Sequence, residues 1–178
     1  MLIPSEWQIK AKNKVAEILG EANDNGLLKT PIPINDLIEA YLGDVTIKTT
    51  MDNLFPVGVS AFSKKYMDIG WLMVINGKES VERQRFSAAH EFGHTVLITN
   101  QAKTVYCSRN GKGWDEDMCD QFAGDILMPE ILVRKAYELV PSPYVEDIAK
   151  MFKVSKPVAE IQLKRLGLPF KVREFIRF

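Results

Sequence analysis

The two histidines of this 178-residue chain, His90 and His94, lie four positions apart, and Glu91 directly follows the first. Side chains four residues apart on a helix share one face, so both imidazoles can point at a single metal ion. Glu91 lies beside them, within reach of a water on that metal. This is the HExxH pattern, in which two histidines bind zinc and the glutamate acts as a general base. The alternative, an ordinary helix with two structural histidines, is disfavoured because this spacing rarely arises by chance.

The residues around this motif predict the helix that must present it. Ser80 is suited to the N-cap, and Glu82 is favourable in the first turn. Apolar residues then recur at helical spacing as far as Leu97. Gly93 weakens the interior of a helix, so we expect another element to pack closely against it, with the glycine facing a strand.

A catalytic zinc needs a third protein ligand, and it usually keeps a fourth position for water. Because the chain has no further histidine, this ligand must be a carboxylate or a cysteine. The segment 114–123 is predicted to be an amphipathic helix, on which Glu116 and Asp120 share one face. One carboxylate could bind the metal while the other orients a histidine. The residues alone leave this open, because a solvated acidic helix start explains the same pattern equally well.

Two blocks of sequence together resemble the ImmA/IrrE family of zinc metallopeptidases. Residues 85–94 read RFSAAHEFGH, and residues 116–129 read EDMCDQFAGDILMP. Members of that family read approximately RFTLAHELGH and then E-x-x-A-(N/D)-x-FA-x-x-LLMP, in the same order. The main departure is Cys119, which stands where the family usually has alanine. We expect Cys119 to be a small buried residue, with a zinc-ligand role as the less favoured alternative.

The resemblance implies both a cofactor and the roles of particular residues. It implies that Zn²⁺ is bound by His90, His94 and Glu116. It also implies that Glu91 is the catalytic residue and that Asp120 supports the ligands from outside the metal's own shell. The donor that stabilises the oxyanion is not identified, and the unranked candidates are Tyr66, Tyr106, Arg85 and Arg109.

Composition excludes several broad classes of protein. The formal net charge is zero, so no global field attracts nucleic acid or acidic membranes. Two cysteines, Cys107 and Cys119, do not make a disulfide scaffold, and we expect reduced thiols. Neither a signal peptide nor a membrane-spanning stretch is recognisable, so the expected location is the cytoplasm and no membrane partner is expected.

The chain is predicted to have an α+β fold. Three β-like runs, at 45–49, 57–62 and 71–75, predict a small mixed or antiparallel three-stranded sheet packed on the HExxH helix. The surrounding segments are predicted to be helical. Residues 100–113 are predicted to be a surface connection, and a segment that covers the active site is the less favoured alternative. We predict a metallopeptidase domain at 1–140.

Residues 141–178 predict a helix-turn-helix-like tail packed on that domain. Ser155, Pro157 and Gly167 mark the start and end of its second helix. The segment holds eight Lys and Arg against four Asp and Glu, an excess too small for a typical DNA reader. Packing or recognition of a partner protein is favoured, while direct nucleic-acid binding is disfavoured but stays open.

Three hypotheses about function follow from these residues and from the resemblance. The first is an intracellular zinc metalloendopeptidase. Its substrate, by resemblance, is a helix-turn-helix transcriptional repressor of a mobile element or a stress response. The second is a zinc-containing regulatory module with little peptidase activity that binds a repressor or DNA. The third, a purely structural zinc site, is least favoured because such sites usually have four protein ligands and are rich in cysteine.

Overall fold

The computed structural model of the protein describes residues 6–68, 70–98, 105–108, 113–140 and 142–173. These residues form seven helices and four strands, which confirms the predicted α+β class. In chain order the elements are α1 (Glu6–Asp24), α2 (Ile34–Leu42), β1 (Val45–Thr50), β2 (Val59–Tyr66), β3 (Gly70–Asn76), α3 (Val81–Leu97), β4 (Val105–Ser108), α4 (Trp114–Leu127), α5 (Glu130–Leu139), α6 (Val145–Phe152) and α7 (Lys156–Arg165).

The sheet is mixed, with the strand order β1-β3-β2-β4. Strand β1 runs parallel to β3, whereas β2 is antiparallel to both β3 and β4. The three predicted strands are present, and β4 adds a fourth strand at the edge beside β2. The four residues of β4 lie in the segment predicted to be a surface connection. The sequence did not predict this strand, because so short a strand shows little alternation of apolar and polar residues.

Helix α3 is the centre of the molecule, with the sheet on one side and α4 on the other. Its start is capped as predicted, since Ser80 accepts a hydrogen bond from the backbone N–H of Arg83. Every residue from Ser87 to Thr95 is buried. The ring of Phe92 is fully buried and meets Phe122 of α4 edge-on, with 5.6 Å between the ring centroids. Burial of one such side chain contributes roughly 1.5–3 kcal/mol.

Helices α3 and α4 approach most closely at Gly93. A Cβ atom at this position would lie 3.1 Å from Cδ1 of Phe122 and 3.3 Å from Cα of Cys119. The glycine therefore faces a helix, and the expectation that it faces a strand was wrong. The missing side chain lets the backbone of α4 lie close to α3, which brings the first turn of α4 beside the histidines.

Helices α6 and α7 form the predicted helix-turn-helix-like pair. They are joined through Lys153, whose left-handed backbone (φ 50°) closes α6. Phe152 and Leu163 belong to the same buried apolar cluster as the side chains of α3 and α4. The division at residue 140 stays a prediction. Among the described residues, no helix is both long enough and apolar enough to cross a membrane.

Candidate metal centre

Three side chains that can bind a metal converge where α3 meets α4. The Nε2 atoms of His90 and His94 lie 3.0 Å apart. The carboxylate of Glu116, in the first turn of α4, lies between them, with Oε2 3.3 Å from Nε2 of His90 and Oε1 3.3 Å from Nε2 of His94. Within the described part of the chain, these three residues are the group suited to holding a metal ion.

The spacing of these donors fits a tetrahedral metal ion. Metal–nitrogen and metal–oxygen bonds of about 2.0–2.2 Å at tetrahedral angles separate neighbouring donor atoms by about 3.3 Å. The two ring nitrogens lie 3.0 Å apart, and each lies 3.3 Å from a different oxygen of Glu116. With one donor atom taken from each residue, the three atoms lie within 4.8 Å of one another. The histidine side chains are 2% exposed and that of Glu116 is 17% exposed, so the cluster opens towards solvent beside the carboxylate. Catalytic zinc sites use such sets of three protein donors, whereas structural zinc sites usually have four protein ligands.

Asp120 contacts the cluster from one helical turn further along α4. Its Oδ1 atom lies 2.7 Å from Nδ1 of His90, on the side of the ring opposite to Nε2. An N–H donated from Nδ1 to this carboxylate leaves Nε2 as the nitrogen that can bind a metal. Nδ1 of His94 is buried, and the described residues offer it no hydrogen-bond partner.

The acidic neighbours control the charge of His90 in the metal-free protein. Burial lowers the pKa of His90, but hydrogen bonds to Asp120 and Glu116 outweigh burial and raise the pKa to about 9. The same contacts with His90 and His94 hold the pKa of Glu116 down to about 2. The metal-free cluster therefore holds a proton at neutral pH, which a metal ion would have to displace.

Glu91 points away from solvent and is held by a residue that sequence reasoning missed. Its carboxylate is fully buried, and its Oε2 atom accepts a hydrogen bond of 2.5 Å from Oγ of Ser63 on β2. A lone serine in a strand carries no chemical signal of its own. The available signal was its place on the inward face of β2, two residues after the buried Ala61.

The remaining candidates do not join the cluster. Cys119 is fully buried against α3, and burial raises the pKa of its thiol, which disfavours a thiolate ligand. Arg85 is occupied by the backbone carbonyls of Ile32 and Lys153, at 2.8 and 3.1 Å, so it is not available to an oxyanion. Tyr66 lies three residues after Ser63, an odd number of positions along the strand, so it lies on the opposite face of β2.

Two oxyanion candidates and one of the two cysteines lie where the structure gives no side-chain information. Arg109 falls outside the described residues. Tyr106 and Cys107 belong to β4, of which only the backbone is described. Their predicted roles stay predictions.

Comparisons with known proteins identify the family of this chain. The chain matches the family model described as the IrrE N-terminal-like domain over residues 50–164. It is 28% identical over 120 residues to the radiation response metalloprotease IrrE of Deinococcus radiodurans, which is 59% of this chain and 36% of that protein. It is 29% identical over 96 residues to the metallopeptidase ImmA of Bacillus subtilis, which is 53% of this chain and 57% of that protein.

The matched region spans less than two thirds of either relative, so the match does not assign the activity of the whole relative to this chain. The family model itself covers more than half of this chain and includes β2, α3 and α4, which supply all the residues of the cluster. The resemblance found in the two sequence blocks is thereby confirmed. The chain belongs to the IrrE N-terminal-like domain family of peptidases.

Proposed function

We propose that the protein is a zinc-dependent metalloendopeptidase that acts on a protein substrate inside the cell. The observation that carries this proposal is the convergence of three donor groups, from His90, His94 and Glu116, to within 3.0–3.3 Å of one another. Zinc is the proposed metal because two imidazoles and one carboxylate are a zinc donor set used in peptidases. Membership of the family, and the printed names of both relatives, support the peptidase class.

Each ligand has a distinct part in the proposed site. A zinc ion bound there supplies a Lewis acid that activates a water and polarises a peptide carbonyl. His90 and His94 bring two ring nitrogens from one rigid helix. Glu116 adds a negative charge from the adjacent helix. Asp120 holds the ring of His90 through Nδ1, which fixes both its tautomer and its orientation.

Glu91 is the proposed general base. Its carboxylate takes a proton from the attacking water and later delivers the proton to the departing amine nitrogen. Zinc binding does not require a glutamate between the two histidines. Burial of a carboxylate costs free energy, and a regulatory module without peptidase activity gains no function that offsets this cost. The buried Glu91 therefore favours the peptidase over the binding module.

A helix-turn-helix transcriptional repressor is the proposed substrate. The support for this class is the resemblance of residues 85–94 and 116–129 to the ImmA/IrrE family. Cleavage of such a repressor would release the genes that it silences. A repressor encoded beside the gene for this protein is the first candidate to examine.

The test compares the zinc-loaded protein with its Glu91→Gln variant. Each is incubated with purified helix-turn-helix repressors and, as a sequence-neutral comparison, with casein. We expect cleavage by the unsubstituted protein, none after chelation, and none by the variant despite full zinc content. Cleavage by Glu91→Gln would remove Glu91 from the mechanism. If the zinc-loaded protein cleaves none of these proteins, the peptidase proposal fails.

A further inference from the structure

Strand β2 supplies the hydroxyl group that contacts the proposed general base. Oγ of Ser63 donates a hydrogen bond to Oε2 of Glu91 over 2.5 Å. This distance is at the short end of the range for a hydroxyl group bonded to a charged carboxylate. Both residues are fully buried. A buried carboxylate needs hydrogen-bond donors from the protein, because water cannot supply them.

The position of Ser63 in the sheet makes it a rigid donor. Its backbone lies opposite Met73 of β3 and opposite Val105 of β4. The strand is therefore held from both sides at this residue. Ala61, two residues earlier, is also fully buried and shares this face of the sheet. Two small side chains here let α3 lie close to β2, so a hydroxyl as short as that of serine reaches Glu91.

We propose that Ser63 is a positioning residue, whose hydroxyl holds the carboxylate of Glu91 in the orientation needed for proton transfer. This inference rests on the proposed role of Glu91 as general base. It adds the strand as a third element of the catalytic apparatus, beside the two helices that carry the ligands. Ser63 acts through Glu91, because its hydroxyl donates its hydrogen bond to that carboxylate.

The physical reason is the freedom of a glutamate side chain. Its last torsion angle is broad, so rotation of the carboxylate plane is not fixed by the backbone of α3. A hydrogen bond from a rigid strand selects one orientation before the substrate arrives. A misplacement of about 1 Å in a reacting group can reduce the rate about 100-fold.

The same strand offers a matched control at Ser60. This serine is also fully buried, and its hydroxyl donates to Oε1 of Glu79 over 2.9 Å. It also accepts a hydrogen bond of 3.2 Å from Nε of Arg83. Ser60→Ala and Ser63→Ala therefore each remove a buried hydroxyl bonded to a glutamate. Only the second glutamate belongs to the HExxH motif.

The experiment measures zinc content, kcat and KM for both alanine variants of the zinc-loaded protein. The probes are dye-labelled casein and any helix-turn-helix repressor that the unsubstituted protein cleaves. For Ser63→Ala we expect a fall in kcat of about 10–100-fold, with KM and zinc content unchanged. For Ser60→Ala we expect an unchanged kcat. An unchanged kcat in Ser63→Ala, or an equal loss in both variants, would overturn the proposal.

A second measurement keeps this inference separate from the peptidase proposal. Unfolding midpoints of the metal-free protein are compared for Ser63→Ala, Glu91→Ala and the double variant. We expect non-additive shifts, because the two side chains are in direct contact. Absence of cleavage by the unsubstituted protein overturns the peptidase proposal, and the midpoints then decide the contact. Additive shifts overturn the assignment of Ser63 whatever the cleavage assay gives.

Discussion

The metal centre and the C-terminal helix pair both collect charged side chains, but they use them differently. At the metal centre, the carboxylate of Glu116 lies between two histidine nitrogens, and its side chain is partly exposed to solvent. Its neutralising partner in the metal-free protein is the protonated imidazole of His90. A metal ion can replace that proton. This charge is therefore available to a ligand.

In the C-terminal pair α6–α7 and directly after it, three basic side chains form ion pairs within the protein. Each of three cations lies next to an acidic group, and the distances are 2.7 Å for Lys156–Glu146, 3.1 Å for Arg165–Asp125 and 2.8 Å for Arg173–Asp147. The pair is also fastened to both ligand helices. Arg85 of α3 donates to the carbonyl of Lys153, and Gln162 of α7 donates to Asp125 of α4.

This difference separates a site from a packing surface. Charges that await a ligand lie in the first region, whereas charges that hold helices together lie in the second. Packing stays the predicted role of residues 141–178, and these three ion pairs favour it over a basic surface that reads DNA. Substitutions in the two regions should therefore have different effects. Those at the metal centre should change zinc affinity, and those in the helix pair should change stability.

The largest effect on zinc affinity is expected at Glu116. Glu116→Gln keeps the size of the side chain but removes its charge. We expect zinc affinity to fall more than about 100-fold, since loss of even an outer partner costs about 10–100-fold. Asp117→Asn removes a charge from the exposed neighbour and is the matched control. Competition with a fluorescent chelator measures both, and equal affinities for the two variants would contradict Glu116 as a ligand.

Asp120→Asn should have the next largest effect. The amide can still contact Nδ1 of His90, but it no longer holds the ring with a charged hydrogen bond. We expect zinc affinity to fall about 10–100-fold, with the stoichiometry kept at one ion. The same competition assay measures it. An effect no larger than that of Asp117→Asn would show that the contact of 2.7 Å does not support the metal.

Zinc affinity should also depend on pH through His90. Because the pKa of His90 is about 9 in the metal-free protein, a metal ion displaces a proton at neutral pH. We expect affinity to rise about tenfold per pH unit below pH 9 and then to level off. The slope is measured by chelator competition across this range. Affinity independent of pH between 6 and 9 would contradict a protonated His90.

The stability of the metal-free protein should change in the opposite direction. The pKa of His90 is raised in the folded state from its ordinary value of 6.5. The resulting stabilisation is fully present below pH 6.5 and is lost as the pH rises through about 9. Thermal unfolding with excess chelator should therefore show a falling midpoint over this window. A rising midpoint would contradict the hydrogen bonds assigned to His90.

A smaller effect on zinc affinity is expected from Gly93→Ala. The added methyl group would meet the backbone of Cys119 and push α4 outwards by a few tenths of an ångström. We expect zinc affinity to fall several-fold as Glu116 moves with α4. Gly20→Ala in α1 is the control, because nothing lies within 4 Å of its Cβ position. Gly20→Ala should gain up to about 1 kcal/mol of stability. If Gly93→Ala showed the same gain with unchanged zinc affinity, the close approach of α3 and α4 at this residue would be contradicted.

No change in zinc affinity is expected from Gln162→Ala in the helix pair. Gln162 is buried, and its amide donates to Asp125 and to the carbonyl of Met128 at 2.8 and 3.3 Å. Its loss should cost about 1–3 kcal/mol of unfolding free energy, because buried partners lose their donor. Lys164→Ala, on the exposed face of α7, should change it by less than about 0.5 kcal/mol. Denaturant titration measures the unfolding free energy of both variants. A large loss of zinc affinity in Gln162→Ala would contradict the separation between the metal centre and the helix pair.

How far the sequence predicts each part depends on the range of the interaction. His90 and His94 share a helix, so their spacing alone predicts that they meet at one point. The choice between Glu116 and Asp120 depends on how α4 is rotated against α3. Only the family resemblance made that choice, and the structure places Glu116 between the histidines.

Long-range contacts escaped prediction altogether. Ser63 meets Glu91 across 28 positions of the chain, through the pairing of strands that no local pattern specifies. The prediction that Gly93 faces a strand was wrong for the same reason. A glycine indicates close packing but does not show which element packs against it. Strand β4 is too short to show alternation. Local periodicity predicted the elements, and their mutual packing produced the site.

A crystal structure of the zinc-loaded protein, with anomalous diffraction recorded at the zinc edge, tests the central claim most directly. The account predicts one zinc ion about 2.0–2.2 Å from Nε2 of His90, from Nε2 of His94 and from a carboxylate oxygen of Glu116. It also predicts that the fourth position is held by water rather than by protein. Zinc bound away from these three donors, or a site closed by a fourth protein ligand such as Cys119, would contradict it.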